Sequence, residues 1–288
     1  MEFNTESLVE SAREGDREAL TEILLRVKDR IFGLAVRMLG DPIDAEDAAQ
    51  EILIKVTTHL STFRQESAFT TWVYRIAANH LLAARKRRAE RICSNFDDYA
   101  GEIDRGLASR WPESLPEAEM RLRVEEMMIS CTQGMLLCLD RGHRLAYILG
   151  EIFEVSSKQG GYILDVTPAA FRKRLSRSKK RLHDFMGNHC GLIKSSNPCT
   201  CAKQVLHGAS QESDEVFEPQ FSAYPCQGRH DPAVMERLQE FDELERVAVL
   251  FRNHPDYCAP DSFVDNLRDL IFSGQFELFN GAKIKGGS

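Results

Sequence analysis

The sequence predicts an all-α protein: two small helical domains joined by a linker, then a helical C-terminal extension. Three observations carry this prediction. Apolar residues recur at intervals of three and four through most of the chain. No persuasive alternation of strand type interrupts them. Residues that start and stop helices punctuate the pattern at helix-length spacings.

The first helical pattern runs through Leu8 and Ala12 and, after Asp16, through Ala19, Leu20, Ile23, Leu24 and Val27 to Leu39. Gly40-Asp41-Pro42 ends it. A new helix begins at Pro42 with Asp44, Glu46 and Asp47 in its first turns, where the helix dipole favours acid. Its apolar stripe is Ala45, Ala48, Ala49, Ile52, Leu53, Val56 and Leu60, which leaves Asp44, Asp47, Gln50, Glu51 and Lys55 on the solvent side. The polar loop STFRQESAF (61–69) follows, with Ser67 as the expected cap of a helix carrying Phe69, Trp72, Val73, Ile76, Ala77 and Leu81.

Periodicity lapses over 92–115, where Asp, Gly and Pro collect, and this stretch reads as a linker between domains at 1–91 and 116–187. Helices resume at about 116–138 and 141–153. A short helical run, SSKQGGYIL (156–164), leads across Asp165-Val166-Thr167 into a basic helix with Thr167 as N-cap and Pro168 at its first position. Seven of the twelve residues from Phe171 to Leu182 are Lys or Arg. Helix, three-residue turn and capped basic helix read as a helix-turn-helix whose second helix enters the major groove. Thr167, Ala169, Arg172, Lys173, Arg174, Ser176, Arg177 and Lys180 are its candidate DNA contacts.

Beyond it lies a cysteine-bearing segment (188–207), a polar linker (208–230) and an acidic helical extension (231–288) containing AVMERLQEFDELERVAVLF and PDSFVDNLRDLIFSG. Cys190, Cys199, Cys201 and His207 offer three thiolates and an imidazole, a candidate tetrahedral zinc set. The spacing is not a standard finger, and redox-active or unliganded thiols are the competing reading. Cys131 and Cys138, one heptad apart, read as core, and Cys93, Cys226 and Cys258 as isolated.

Charge is segregated. Of the net −7, residues 208–288 carry fifteen acidic and seven basic residues, leaving the rest near neutral with basic clusters at 85–91 and 172–181. That division suits a DNA face and a separate protein-binding face. No apolar run approaches the roughly 18 residues of a membrane span, and the start has no signal-peptide pattern, so a soluble cytoplasmic protein is expected.

In this order the elements resemble the extracytoplasmic-function class of bacterial sigma factors, the dissociable subunits that give RNA polymerase its promoter specificity. DAEDAAQEILIKV (44–56), FRQESAFTTWVYRIAANHLLAARKRR (63–88) and TPAAFRKRLSRSKKRL (167–182) carry the resemblance. It implies a first domain that opens the −10 element and a second that reads the −35 element. It implies that Asp44, Asp47, Gln50, Glu51 and Lys55 face core polymerase. The −10 DNA then falls to Arg64, Gln65, Glu66, Ser67, Arg75 and Asn79, with Arg85, Arg87 and Arg88 on phosphates. DNA binding on this reading requires no cofactor, and the cysteine segment is a separate candidate for a structural zinc. The acidic extension is expected to be regulatory, or to bind an anti-sigma or recruiting protein. The rival readings are a helix-turn-helix regulator that never joins polymerase, and a metal-dependent enzyme built on the Cys/His cluster. One departure from the family stands out. Gly160-Gly161 occupies the first helix of the motif, at roughly 1 kcal/mol per glycine, so that helix is expected to be weak.

Overall fold

A computed structural model describes residues 5–84, 95–108, 116–211 and 237–260, with a few positions flanking these up to 269. Among them the chain is helical, as the sequence predicts. β structure among them is limited to isolated bridge residues, including the pair Cys190 and Cys199.

α1 (Thr5–Arg13) and α2 (Arg17–Leu39) are separated where Asp16 caps α2 by accepting from the amides of Glu18 and Ala19 at 2.9 and 3.0 Å. Gly40 ends α2 in the left-handed conformation (φ 70°), and its N–H returns to the Val36 carbonyl at 2.8 Å. Asp41 then caps α3 (Pro42–His59) through the amides of Ile43 and Asp44. The sharp reversal folds α3 back on α2, and α4 (Phe69–Ala83) closes the bundle. Leu20, Ile31, Leu34, Ile52, Leu53, Val56, Val73, Ala77 and Leu81 are buried between them. Ser67 does not cap α4. Ala68 holds the N-cap position, and the Ser67 hydroxyl donates to the Ala68 carbonyl instead.

The expected linker contains a helix, α5 (Phe96–Ala108), which packs on α6 (Glu117–Leu137). Asn95 starts it by accepting from the Asp98 amide at 2.8 Å. α7 (Arg141–Tyr147) continues as a π-helical turn over Ile148–Ile152. α8 (Ser157–Ile163) and α9 (Pro168–His189) form the helix-turn-helix. α10 (Cys201–Gln211) packs on α5 and α6. In the extension the apolar pattern from 233 to 251 is not one helix: Asp242 caps a separate α11 (Glu243–Arg252) by accepting from the Glu245 amide at 2.8 Å.

One apolar core runs from Leu8 to Phe263 through all of these segments. The two expected domains therefore share an interior. Two buried arginines hold the joint. Arg144 of α7 donates to the carbonyls of Leu136, Leu137 and Leu139 at 2.9 Å each and to that of Met38, so one guanidinium closes the ends of α6 and α2. Arg37 of α2 donates to the Gly33 and Pro255 carbonyls and lies 4.7 Å from the centre of the Tyr257 ring.

Candidate nucleic-acid interface

Ser156 and Gln159 form a reciprocal capping box at the start of α8. The chain reverses through Asp165, whose φ of 52° is left-handed, and the Val166 amide returns to the Gly161 carbonyl at 2.9 Å. Thr167 then caps α9 by accepting from the Ala170 amide at 3.1 Å. The glycine pair lies within a formed helix, at close contacts with its neighbours. A Cβ on Gly160 would overlap the Phe171 ring, and one on Gly161 would sit 2.8 Å from the Val166 carbonyl oxygen. The two glycines let the helices of the motif approach, which offsets their propensity cost.

α9 runs to His189, seven residues beyond the basic stretch that ends at Leu182. It buries Phe171, Ser178, Leu182, Phe185 and Met186, and exposes Ala169, Arg172, Lys173, Ser176, Arg177 and Lys180 as one continuous face. Arg172 donates to the Ser157 hydroxyl at 3.3 Å, and Lys180 pairs with Asp184 at 3.0 Å. The Lys180 partner also helps hold the Asp184 carboxyl below the ordinary carboxylate range. Arg174 is half-buried on the flank toward Gly142, off the exposed face.

In the first domain, Phe63, Phe69 and Trp72 stack with ring centres 5.3 to 5.7 Å apart, a buried platform beneath the 63–68 loop. Arg64, Gln65 and Glu66 project from it, and Gln65 holds a left-handed φ of 57°. Such a conformation costs about 1–2 kcal/mol outside glycine, and the anchored platform maintains it. Ser67 is half-buried and Asn79 exposed. Asn79 lines a groove of about 430 Å³ with Lys55, His59, Ile76 and His80. Arg85, Arg87 and Arg88 lie outside the described residues.

On α3, Asp47, Glu51 and Lys55 are exposed, and Asp44 and Gln50 half-buried. Lys55 reaches the His80 ring at 2.7 Å. Sequence reasoning missed Ile43, which is 73% exposed one turn before Asp47 and gives this acidic face an apolar point.

The two candidate DNA surfaces are not both open. Arg75 of α4 donates to the Tyr162 carbonyl at 3.1 Å and to the Asp165 carboxylate at 3.0 Å, and lies 4.7 Å from the centre of the Tyr162 ring. Gln159 reaches the Thr71 hydroxyl at 3.5 Å. The first helix of the motif therefore covers part of α4. Arg141 of α7 donates to the Leu81 and Leu82 carbonyls, tying the end of α4 to the second domain.

The cysteine segment forms a compact loop: the Gly191 amide donates to the Cys199 carbonyl at 2.9 Å, and Asn197 bonds back to the Gly187 and Cys190 carbonyls. Cys190, Cys199 and Cys201 line one cavity of about 20 Å³ together with Cys131 of α6 and His189. The expected zinc set is not assembled. Among the described residues no three His, Cys, Asp or Glu side chains are placed to hold an ion. The side chain of His207 lies outside the described residues. Cys131 packs against the core as expected and also faces this cavity, while Cys138 is buried with its thiol on the Gly134 and Asn95 carbonyls. Burial raises the pKa of all four cavity thiols, that of Cys201 to about 12 with further help from Cys190 and Cys199. Cys258 is not isolated; it is disulfide-bonded.

No helix among the described residues is long and apolar enough to cross a membrane. Residues 23–91 match the family model described as Sigma-70 region 2. The chain is 31% identical over 181 residues to the RNA polymerase sigma-H factor of Pseudomonas aeruginosa, spanning 62% of this chain and 91% of that protein. It is 29% identical over 184 residues to the ECF RNA polymerase sigma factor SigW of Bacillus subtilis, spanning 63% of this chain and 96% of that one. It is also 29% identical over 178 residues to the ECF RNA polymerase sigma-E factor of Escherichia coli K12, spanning 61% and 90%. More than a third of this chain is thus without counterpart in each. The rival of a regulator unrelated to polymerase falls with these matches, which run nearly the whole length of each relative. The chain belongs to the RNA polymerase sigma factors of the extracytoplasmic-function class.

Proposed function

We propose that this chain binds core RNA polymerase through the acidic face of α3, Asp44, Asp47, Gln50, Glu51 and Lys55, with Ile43 as its apolar anchor. Residues 1–91 act as the −10 domain. Arg64, Gln65, Glu66 and Ser67 receive the displaced base above the Phe63–Phe69–Trp72 platform, while Arg75 and Asn79 hold the strand and Arg85, Arg87 and Arg88 neutralise phosphates. Residues 116–187 act as the −35 domain, with α9 in the major groove and Ala169, Arg172, Lys173, Ser176, Arg177 and Lys180 toward the bases. Thr167 contributes as the cap, and Arg174 supports the helix from its flank. The work is binding and strand separation in the bacterial cytoplasm, and the chain makes or breaks no bond. Neither task needs a cofactor.

The observation that carries this reading is the six-residue exposed stripe on α9, set on a capped helix whose opposite face is buried. The extension is the regulatory part. Glu126 of α6 accepts from the amides of Gln220 and Phe221, Asp29 of α2 accepts from that of Ala259, and His254 meets the Thr132 hydroxyl. It straps the two domains together from behind, and polymerase or a recruiting protein that displaces it frees both DNA surfaces. Run-off transcription from core polymerase plus this chain, on genomic fragments selected by the holoenzyme, tests the proposal. Specific initiation dependent on the chain is the expected result. No change in core polymerase selectivity overturns it.

A further inference from the structure

Among the described cysteines, Cys258 alone is disulfide-bonded, while Cys131, Cys138, Cys190, Cys199 and Cys201 are free. The partner is therefore Cys93 or Cys226, both outside the described residues. In the cytoplasm proposed above, thiols are held reduced, and a disulfide there is as a rule transient or redox-sensing. The bond also lies where the extension docks. The Pro255 carbonyl accepts from Arg37 of α2 at 3.2 Å, and the Ala259 amide donates to Asp29 of α2 at 2.9 Å. Between them the Tyr257 hydroxyl meets Gln133 of α6 at 3.4 Å. A second piece of the extension docks alongside. The Gln220 and Phe221 amides both donate to Glu126 of α6 at 2.8 Å, and the Tyr224 ring centre lies 5.7 Å from that of Phe32. The Cys258 amide donates to the Tyr224 carbonyl at 3.0 Å, which joins the two pieces.

We propose that Cys258 and Cys226 are a redox modification site, a reversible disulfide that fastens the extension to the helical domains. Cys226 follows Tyr224 by two residues. Two residues of chain reach about 7 Å, and a disulfide spans about 4.4–6.8 Å between Cα atoms. The Tyr224 contact therefore favours Cys226 over Cys93 as the partner. Closure is a two-electron oxidation by a hydroperoxide. One thiolate attacks the terminal peroxide oxygen, the O–O bond breaks and the alkoxide or hydroxide leaves. The second thiolate attacks the sulfenic sulfur and expels hydroxide, and the two thiol protons end on the leaving oxygens. Two thiols and one hydroperoxide thus give the disulfide, one alcohol (water, for hydrogen peroxide) and one water. A dithiol reverses the reaction: it displaces one cysteine sulfur, then closes its own disulfide as its protons pass to the cysteines. Cys258 is half-buried and within reach of such reagents. Burial keeps the thiols of Cys190, Cys199 and Cys201 protonated, with the pKa of Cys201 pushed up to about 12, so they compete poorly.

The described residues of 254–260 form no helix, so the contacts above hold this piece without regular structure of its own. Cross-linked, the two docked pieces detach only together, and the closed loop limits the freedom they gain by detaching. Reduction lifts that limit. The regulatory meaning rests on the reading of the extension as a strap: oxidised, it holds the domains with Arg75 on Asp165; reduced, it leaves more readily and both surfaces open.

The test compares the full chain treated with hydrogen peroxide and with dithiothreitol, both without denaturant. Non-reducing peptide mapping should recover Cys226 linked to Cys258 in the first form and lose that link in the second. Limited proteolysis should cut the extension faster in the reduced form, on the order of tenfold. Cys258→Ser should be cut at the reduced rate after either treatment, while Cys138→Ser still responds as the wild type does. A Cys258 that stays open to alkylation after peroxide, or that is recovered with another cysteine, overturns the pair. Equal cleavage of oxidised and reduced wild type overturns the fastening role, and this comparison needs no variant to fold. Affinity for core polymerase, measured on the same samples, should rise on reduction. Faster cleavage with unchanged affinity supports the disulfide as a fastener and overturns the regulatory reading of the strap.

Discussion

Arg252 at the end of α11 and Glu151 in the π-helical turn are joined twice. The guanidinium donates to the Glu151 carboxylate at 2.5 Å and to its backbone carbonyl at 2.9 Å. The Glu151 side chain is 4% exposed, and its other oxygen takes Lys179 of α9 at 2.6 Å. One buried carboxylate thus links the extension to the helix assigned to the −35 element.

Arg252→Ala leaves that carboxylate with Lys179 alone. Because Arg252 is partly exposed, the cost is expected to be about 1–2 kcal/mol. Limited proteolysis should cut the extension faster than in the wild type. Unchanged cleavage would mean that this pair does not anchor the strap.

Gly160→Ala separates packing from propensity. Alanine favours a helix by about 1 kcal/mol, yet the overlap with Phe171 forces the motif apart at about 1–3 kcal/mol. Urea denaturation should show net destabilisation and weaker duplex binding. A more stable variant would restore the reading of the glycine pair as a weakness.

Most of the helices were legible because their signals are local. Asp16, Asp41 and Thr167 cap where a polar side chain precedes an apolar pattern, and Gly40 stops α2 for its φ. α5 was missed although Phe96, Tyr99, Ala100, Ile103 and Leu107 have helical spacing. Gly101, Gly106 and the flanking prolines masked it, and its partners on α6 and α10 are distant in sequence. Contacts of that kind account for the other differences. Periodicity cannot show that Arg75 meets Asp165 or that Cys131 joins Cys190, Cys199 and Cys201. It cannot show that Arg174 leaves the face to which its charge assigned it.

The clamp face predicts a charge and an apolar effect. Asp47→Lys with Glu51→Lys should weaken association with core polymerase by roughly tenfold, about 1.4 kcal/mol, with helicity by circular dichroism intact. Ile43→Ala should weaken it at high salt as well, where charge reversals matter less. Unaltered core affinity in both would remove the α3 assignment.

Reading and opening should come apart. Lys173→Ala and Arg177→Ala should reduce −35 protection, at about 1–3 kcal/mol for any base-specific contact. Gln65→Gly should keep duplex binding and, by relieving its backbone, cost no stability, while slowing strand opening in permanganate footprinting. Equal defects in both sets would contradict the division of labour.

The Arg75 contact with the helix-turn-helix has a thermodynamic consequence. If Arg75 contacts DNA as proposed, DNA and the second domain compete for part of α4, and the free chain then binds promoter with an affinity reduced by the fraction of molecules that stand open. Any partner that prefers the open state raises that fraction and must, by reciprocity, be bound more tightly once DNA is present. On that assignment, closure favours a factor silent on its own over one active in holoenzyme, and promoter and polymerase each act as an effector for the other.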